Sequence, residues 1–199
     1  MATRGVYDGS WRAMSHMANV VIIGNKRYLV DVGYGADGPS TPLPLSSGEI
    51  QSGLPDQKLK LEHKTLPQHH DQSQKVWVYA QKRGSEDWAD VYHFPDVEFF
   101  APDFDVLNHH AMTQSLWSRT VVSQKFVSDD DGLSLSGTLL LVRDELKMGN
   151  SSAQHMRLVK KLESEEQRIS ALEEYFSISL SKEEQEAING KATELNAPN

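Results

Sequence analysis

Two residues of complementary chemistry, His16 and Asp31, stand fifteen positions apart. Between them run Val20-Val21-Ile22-Ile23, a Gly24-Asn25 turn signal and Arg27-Tyr28-Leu29-Val30. β-Branched and aromatic runs on both sides of a Gly-Asn pair mark a β-hairpin. Folding that hairpin at Gly24-Asn25 brings His16 and Asp31 roughly opposite each other. A carboxylate on one imidazole nitrogen fixes the tautomer and leaves the other nitrogen as a base. Asp31 also sits among Leu29, Val30 and Val32, where an unpaired charge is costly. A plainer reading stays open on spacing alone: Asp31 caps the next turn and His16 is a surface histidine.

What such a base could activate is restricted by composition. The 199 residues include no cysteine, which excludes disulfides, thiolate metal sites and a cysteine nucleophile from this chain. Serine substitutes poorly. Ser15 adjoins His16, so in a strand its side chain points to the opposite face, and Ser10 lacks a nucleophile-elbow context.

Other constellations are weaker. Gly33-Tyr34-Gly35-Ala36-Asp37-Gly38 fits G-x-G-x-x-G after a strand. A dinucleotide fold needs a helix next, to aim its amides at the pyrophosphate, and Pro39-Ser40-Thr41-Pro42 cannot supply one. These glycines therefore read as a tight turn. The pairs His69-His70 and His109-His110 are adjacent, and neighbouring side chains in extended structure point apart, so they read as solvated loop histidines rather than metal ligands. Glu98, Asp103 and Asp105 read as a solvated face. Asp129-Asp130-Asp131 lacks the downstream glutamate of a calcium loop.

The elements that must hold the pair follow from periodicity. Residues 33–44 carry Pro39, Pro42 and Pro44 and exclude a helix. Residues 46–74 are polar and read as mostly loop or edge structure. Val76-Trp77-Val78-Tyr79 and Asp90-Val91-Tyr92-His93-Phe94 read as strands. To about residue 100 the pattern is strands without helices, an antiparallel barrel or sandwich. Residues 103–113 read as a short helix or connector, and residues 121–127 and 135–142 as strands. A turn is expected at Asp129-Asp130-Asp131-Gly132, and a possible bulge at Gly137. Ser164-Glu165-Glu166-Gln167 is a capping box opening a helix with Ile169, Leu172 and Phe176 on one face. Ser181-Lys182-Glu183-Glu184 opens a shorter helix toward Leu195. Ala101-Pro102 marks a boundary, giving domains of residues 1–102 and 103–199.

The chain carries net charge −8, which disfavours nucleic acid and anionic membrane as partners. No apolar run approaches the roughly 20 residues of a membrane span, and no signal-peptide pattern opens the chain. A cytoplasmic setting is the expectation. Asn150-Ser151-Ser152 then reads as a chance match to a glycosylation sequon.

Three segments carry a family resemblance: Ser15-His16-Met17-Ala18-Asn19-Val20-Val21, Tyr28-Leu29-Val30-Asp31-Val32-Gly33-Tyr34-Gly35, and Pro42-Leu43-Pro44-Leu45. They resemble the arylamine N-acetyltransferases, with a His-led strand, a short turn, a Val-Asp-Val-Gly-aromatic-Gly segment and a Pro-Leu bend. A looser likeness continues through Tyr92-His93-Phe94, Asp103-Phe104 and the helix from Glu165. The resemblance implies a mixed α+β fold of the cysteine-protease-like triad superfamily: an antiparallel β-barrel, then an α/β lid with C-terminal helices. It implies ping-pong transfer of an acetyl group from acetyl-CoA to an arylamine or hydrazine, the chemistry of xenobiotic metabolism, through a Cys–His–Asp triad and without metal. His16 and Asp31 match the triad histidine and aspartate. Tyr34, where the family usually has Phe, and Gly35 match positions beside the acceptor. The family cysteine lies upstream in an Arg-Gly-Gly-x-Cys segment of a helical domain, and this chain begins only 15 residues before His16. The expectation is a truncated relative, inactive alone, whose partner is a separate Cys-bearing N-terminal part. The alternative is a non-catalytic module that binds CoA, an aromatic ligand or a full-length relative.

Overall fold

A computed structural model of the chain describes residues 1–3, 7–35, 37–114, 118–129, 135–149 and 156–195. Ala36, the turn residues Asp130, Asp131 and Gly132, the Asn150 sequon and the last four residues lie outside them. The chain divides into two compact units, Met1–Asn108 and His109–Asn199.

Among the described residues the first unit is built from nine strands. Strands β1 (Ala2–Thr3) and β2 (Met14–His16) pair antiparallel. The expected hairpin forms from β3 (Asn19–Ile23) and β4 (Lys26–Val30), and β5 (Leu43–Pro44) adds to β4. Strands β6 (Ile50–Ser52), β7 (Gln57–Lys64), β8 (Val76–Arg83) and β9 (Ala89–Phe94) form an antiparallel meander. Single bonds tie the three sheets together. The Gly48 amide donates to the Leu61 carbonyl at 2.8 Å, the His93 amide to Thr3 Oγ1 at 3.0 Å, and the Tyr7 amide to the Asp90 carbonyl at 2.9 Å. One core collects Ala2, Leu29, Leu43, Leu59, Leu61, Tyr79 and Tyr92 from β1, β4, β5, β7, β8 and β9. The expected barrel is thus a wall of strands around one core. Among the described residues its hydrogen-bonded ring is not closed, and β3 is paired on one edge only.

Residues 46–74, read as mostly loop or edge, contain β6 and the eight-residue β7. Its alternation was present but faint. Leu59 and Leu61 face inward among Lys58, Lys60 and Glu62, and the third inward residue is the polar Gln57. Its burial is satisfied by the Leu54 amide and by Gln81 Oε1, which accepts from Gln57 Nε2 at 2.7 Å.

Helix α1 (Ala101–Gln114) spans the division between the units. In the second unit β10 (Val122–Ser128), β11 (Leu135–Val142), β12 (Glu145–Gly149) and β13 (Arg157–Lys161) form a second meander. The register of β10 on β11 shifts beside Gly137, where the bulge was expected. Strands β12 and β13 were not read from the sequence. The β11–β12 loop is only Arg143-Asp144, and Arg143 takes the left-handed conformation (φ 56°) that a glycine or asparagine would have announced.

Ser164 caps α2 (Glu165–Phe176), as its capping box indicates. The buried face, however, is Arg168, Ala171, Leu172 and Phe176 rather than one led by Ile169. Arg168 is 1% exposed. Its Nε donates to Glu165 at 2.9 Å and its Nη2 to the Thr193 carbonyl at 3.0 Å, while Glu165 also accepts from the Leu195 amide at 2.7 Å. The Ser181 capping box forms in full, but α3 (Lys182–Glu186) has five residues and stops well short of Leu195. The Arg168–Glu165 pair, not a continued helix, ties down the segment from Thr193 to Leu195, and Leu195 lies in the core.

Two outcomes follow. Arg168→Met leaves Glu165 and the Thr193 carbonyl without their partner, and chemical denaturation is expected to show a loss of about 3 kcal/mol. In the first unit His93 is buried at 7% exposure with its ring edge-on to Trp11 at 4.9 Å. Burial, aided by His69, pushes its pKa down to about 4. The unfolded ring titrates near the ordinary value of about 6.5, so this contribution to stability is intact above pH ~6.5 and is lost as pH falls toward about 4. Melting temperature measured across that window is expected to fall with acidification, and His93→Phe to flatten the slope.

Candidate active site

His16 ends β2 and Asp31 directly follows β4. They are not ladder partners. The β3–β4 register sets Asn19 opposite Val30 and Ile23 opposite Lys26, which puts Asp31 level with Ala18. The strand breaks at Met17-Ala18, and β2 turns away to pair with β1, Ala2 facing His16. That break, rather than an unbroken hairpin, aims the imidazole at the carboxylate.

The contact is short and enclosed. His16 Nε2 lies 2.8 Å from Asp31 Oδ2, with side-chain exposures of 7% and 1%. The Gly33 amide donates to Asp31 Oδ1 at 3.1 Å. Asp31 therefore both caps the following turn and pairs with His16, so the two sequence readings of this residue coexist. With one oxygen on the amide and one on the ring, the carboxylate is fixed. It holds a proton on Nε2 and leaves Nδ1 as the ring nitrogen able to accept one from a reactant.

Aromatic rings set the imidazole plane. Tyr34 meets His16 edge-on at 5.2 Å between centroids, and Tyr92 lies 6.1 Å from His16 and 4.9 Å from Tyr34. Tyr34, expected beside an acceptor, is buried, and its hydroxyl donates to the Val91 carbonyl at 3.3 Å. Gly35 holds φ at 103°, and its carbonyl accepts from the Gly38 amide at 2.9 Å, closing a turn with no helix after it. A side chain at Gly38 would press on the Tyr34 Cβ at 3.0 Å, so this glycine keeps the Tyr34 turn tight. Sequence reasoning missed Tyr79 and Tyr92. Burial, with the Asp31 carboxylate next in weight, holds the Tyr92 hydroxyl well above the ordinary tyrosine range, so the ring stays neutral beside the pair. Nothing in Asp90-Val91-Tyr92-His93-Phe94 distinguishes that tyrosine from a core aromatic; only the sheet register brings it to His16.

Of the serines weighed as nucleophiles, Ser10 is exposed and Ser15 precedes His16 within β2. His109 and His110 lie exposed on α1 and His69 lies in the loop before β8. Among the described residues no group of three or more His, Asp or Glu could hold a metal ion.

A family model described as N-acetyltransferase matches residues 5–185. The chain belongs to the N-acetyltransferase family. It is 30% identical over 195 residues to the N-malonyltransferase FDB2 of Fusarium pseudograminearum (strain CS3096), an alignment of 92% of this chain with 54% of that protein. The N-malonyltransferase FDB2 of Gibberella moniliformis is 29% identical over 192 residues, with the same coverage. The chain thus spans about half the length of the curated relatives it matches. Its fold is similar to the arylamine N-acetyltransferase of Mycobacterium abscessus, with a TM-score of 0.72, 18% identity, and coverage of 92% of this chain and 61% of that one. A Bacillus cereus arylamine N-acetyltransferase, described as having a unique Cys-His-Glu catalytic triad, aligns with a TM-score of 0.65 and 19% identity over 90% of this chain and 65% of that one. The resemblance carried by the segments around His16 and Asp31 is borne out at the level of family and mixed α+β fold.

Removing the carboxylate is expected to strand both the Gly33 amide and the ring nitrogen. Asp31→Ala should cost about 2 kcal/mol in denaturant unfolding. Imidazole 15N spectra should show His16 as a single Nε2–H tautomer in the native chain and as a tautomer mixture in that variant.

Proposed function

We propose that this chain is the histidine–aspartate part of an acyl-CoA-dependent N-acyltransferase acting on an arylamine or hydrazine. The observation that carries the proposal is the buried 2.8 Å contact of His16 Nε2 with Asp31, which leaves Nδ1 as the base. The nucleophile is a cysteine carried by polypeptide that the longer relatives have and this sequence does not, since the 199 residues contain none. Nδ1 of His16 takes the thiol proton and the imidazolium stabilises the thiolate. The thiolate attacks the acyl carbonyl of the thioester, and CoA leaves as a thiol with the proton returned by His16. In the second half the amine attacks the acyl-enzyme, His16 takes the amine proton and passes it to the leaving cysteine thiolate, so that the cysteine departs as thiol and His16 is again neutral. No step needs a metal. Tyr34 and Gly35 shape the wall beside His16, and residues 1–102 and 103–199 are the two domains of this part of the enzyme. The work is that of a cytoplasmic enzyme; no helix among the described residues is long and apolar enough to cross a membrane.

Acetyl is the donor group that the family description supports, and malonyl is the one that the FDB2 relatives support. A second reading rests on the missing cysteine: the chain alone is a non-catalytic module that binds CoA or an aromatic ligand.

The test is to incubate the purified chain with acetyl-CoA or malonyl-CoA and an arylamine, alone and with a Cys-bearing N-terminal segment of a relative. Alone, no acyl-enzyme and no turnover are expected. With the added segment, N-acylation is expected, and His16→Asn should lower it by about a hundredfold or more. Turnover by the chain alone at ordinary enzyme rates would overturn the assignment of roles. Calorimetric CoA binding with no turnover under either condition supports the second reading.

A further inference from the structure

A buried line of side-chain amides runs from the backbone at Leu54 to the turn that follows Asp31. We propose that this relay makes Gln81 a positioning residue: through Asp37 it holds the turn that carries Tyr34, so that Tyr34 keeps its edge-on contact with His16. That the contact serves turnover rests on the acyl-transfer reading; the relay itself does not.

Each link of the relay has a defined donor. The Leu54 amide donates to Gln57 Oε1 at 3.0 Å, Gln57 Nε2 to Gln81 Oε1 at 2.7 Å, and Gln81 Nε2 to Asp37 Oδ1 at 3.3 Å. A backbone N–H can only donate, which assigns the orientation of the Gln57 amide and, through it, that of Gln81. The relay therefore runs one way, from a backbone donor to a carboxylate, and in such a line successive bonds polarise one another. Gln57 and Gln81 are buried on the core face of β7 and β8, whose other inward residues are Leu59, Leu61, Trp77 and Tyr79. Carboxamides in that setting cost free energy unless their bonds are made. Gly53 leaves the room they need, since a side chain there would run into Gln57 Oε1.

The turn needs an anchor outside itself. Gly33, Gly35 and Gly38 surround Tyr34 and Asp37, and glycines lose the most conformational freedom on ordering. Inside the turn the Gly38 amide donates to the Gly35 carbonyl at 2.9 Å. The Gly38 backbone also lies close against the Tyr34 Cβ. Fixing the neighbouring Asp37 on β8 therefore fixes the base of the Tyr34 side chain. The tip is fixed separately on β9, where the hydroxyl donates to the Val91 carbonyl at 3.3 Å. Held at base and tip by two strands, the ring cannot swing away from His16, 5.2 Å distant between centroids.

Arg83 plays a different part. Its Nη2 lies 3.8 Å from Asp37 Oδ1, beyond hydrogen-bond distance, and donates to Gln81 Oε1 at a long 3.5 Å. The guanidinium balances the carboxylate's charge, while the Gln81 amide supplies the directional contact. Asp37 is partly exposed at the end of the relay, so it can be changed without opening the core.

Single changes in the whole chain, read by NMR, test the relay. The native chain is expected to show a nuclear Overhauser cross-peak between the Tyr34 and His16 rings and slow exchange of the Gly38 amide. Asp37→Ala removes the end of the relay. The cross-peak should then be lost and Gly38 exchange should rise about tenfold or more, the effect of one hydrogen bond to a charged group. The Leu29 and Leu61 methyl shifts in the core should stay in place. Gln81→Met, of similar volume, is expected to act in the same way. Asp37→Asn keeps an oxygen for Gln81 Nε2 and drops only the charge facing Arg83, so it should retain the cross-peak and the slow exchange. A merely structural Asp37 or Gln81 would lower the melting temperature without moving the ring contact. A cross-peak that survives Asp37→Ala or Gln81→Met would overturn the proposal, as would one lost as fully in Asp37→Asn as in Asp37→Ala. In the complex with a Cys-bearing segment of a relative, Asp37→Ala and Gln81→Met are expected to lower kcat/KM for the amine by about tenfold or more, and unchanged values in both would equally overturn it. The spectra need only the chain itself, so a native complex without acyl transfer would overturn the acyl-transfer reading and leave the relay to be decided by the spectra.

Discussion

The contact between His16 Nε2 and Asp31 Oδ2 is the interaction around which the first unit is arranged. A carboxylate 1% exposed is tolerated only if both its oxygens are occupied, and the imidazole and the Gly33 amide occupy them. Each demand has a structural consequence. The imidazole must leave the β3 line to reach Asp31, so the strand breaks at Met17-Ala18 and β2 pairs with β1 instead. The Gly33 amide must point back at Asp31, so the chain turns at once after β4, and Tyr34 is carried under the histidine ring.

The surroundings complete that arrangement without adding charge. Tyr34 and Tyr92 flank the ring of His16, and Tyr79 packs behind Tyr92 at 5.1 Å. Neutral aromatic edges restrict the imidazole's rotation, and the carboxylate takes its Nε2 hydrogen bond. Farther along β8 the core becomes polar, where Gln81 links Gln57 to Asp37. The second unit solves the same problem differently. Arg168 replaces an apolar residue on the buried face of α2, and the ends of its guanidinium tie down Glu165 and the segment around Thr193. In both units one buried charged side chain, rather than an apolar one, determines where an irregular segment lies.

The local elements were legible wherever a side-chain signal and the backbone requirement coincide. Gly24-Asn25 between β-branched runs specified the β3–β4 hairpin, and Ser164 and Ser181 specified two helix starts. Legibility failed where the signal was missing. Strand β7 buries a glutamine as its third inward residue, and the β11–β12 turn uses Arg143 in a left-handed conformation without glycine. A sequence pattern records average preferences, and these positions depend on a particular partner.

The chain by itself therefore determined the residue types and their order: a histidine and an aspartate around a hairpin, no cysteine, and an aromatic-glycine turn after the aspartate. With the surrounding segments these were enough to indicate the family. Only the tertiary structure decided that Nε2 and not Nδ1 meets the carboxylate, that Tyr34 lies buried against the ring, and that Tyr92 arrives from the distant strand β9. The reason is physical. Spacing along a strand fixes which side chains share a face, whereas orientation around a ring and contact between distant strands depend on where the chain breaks and how separate sheets meet.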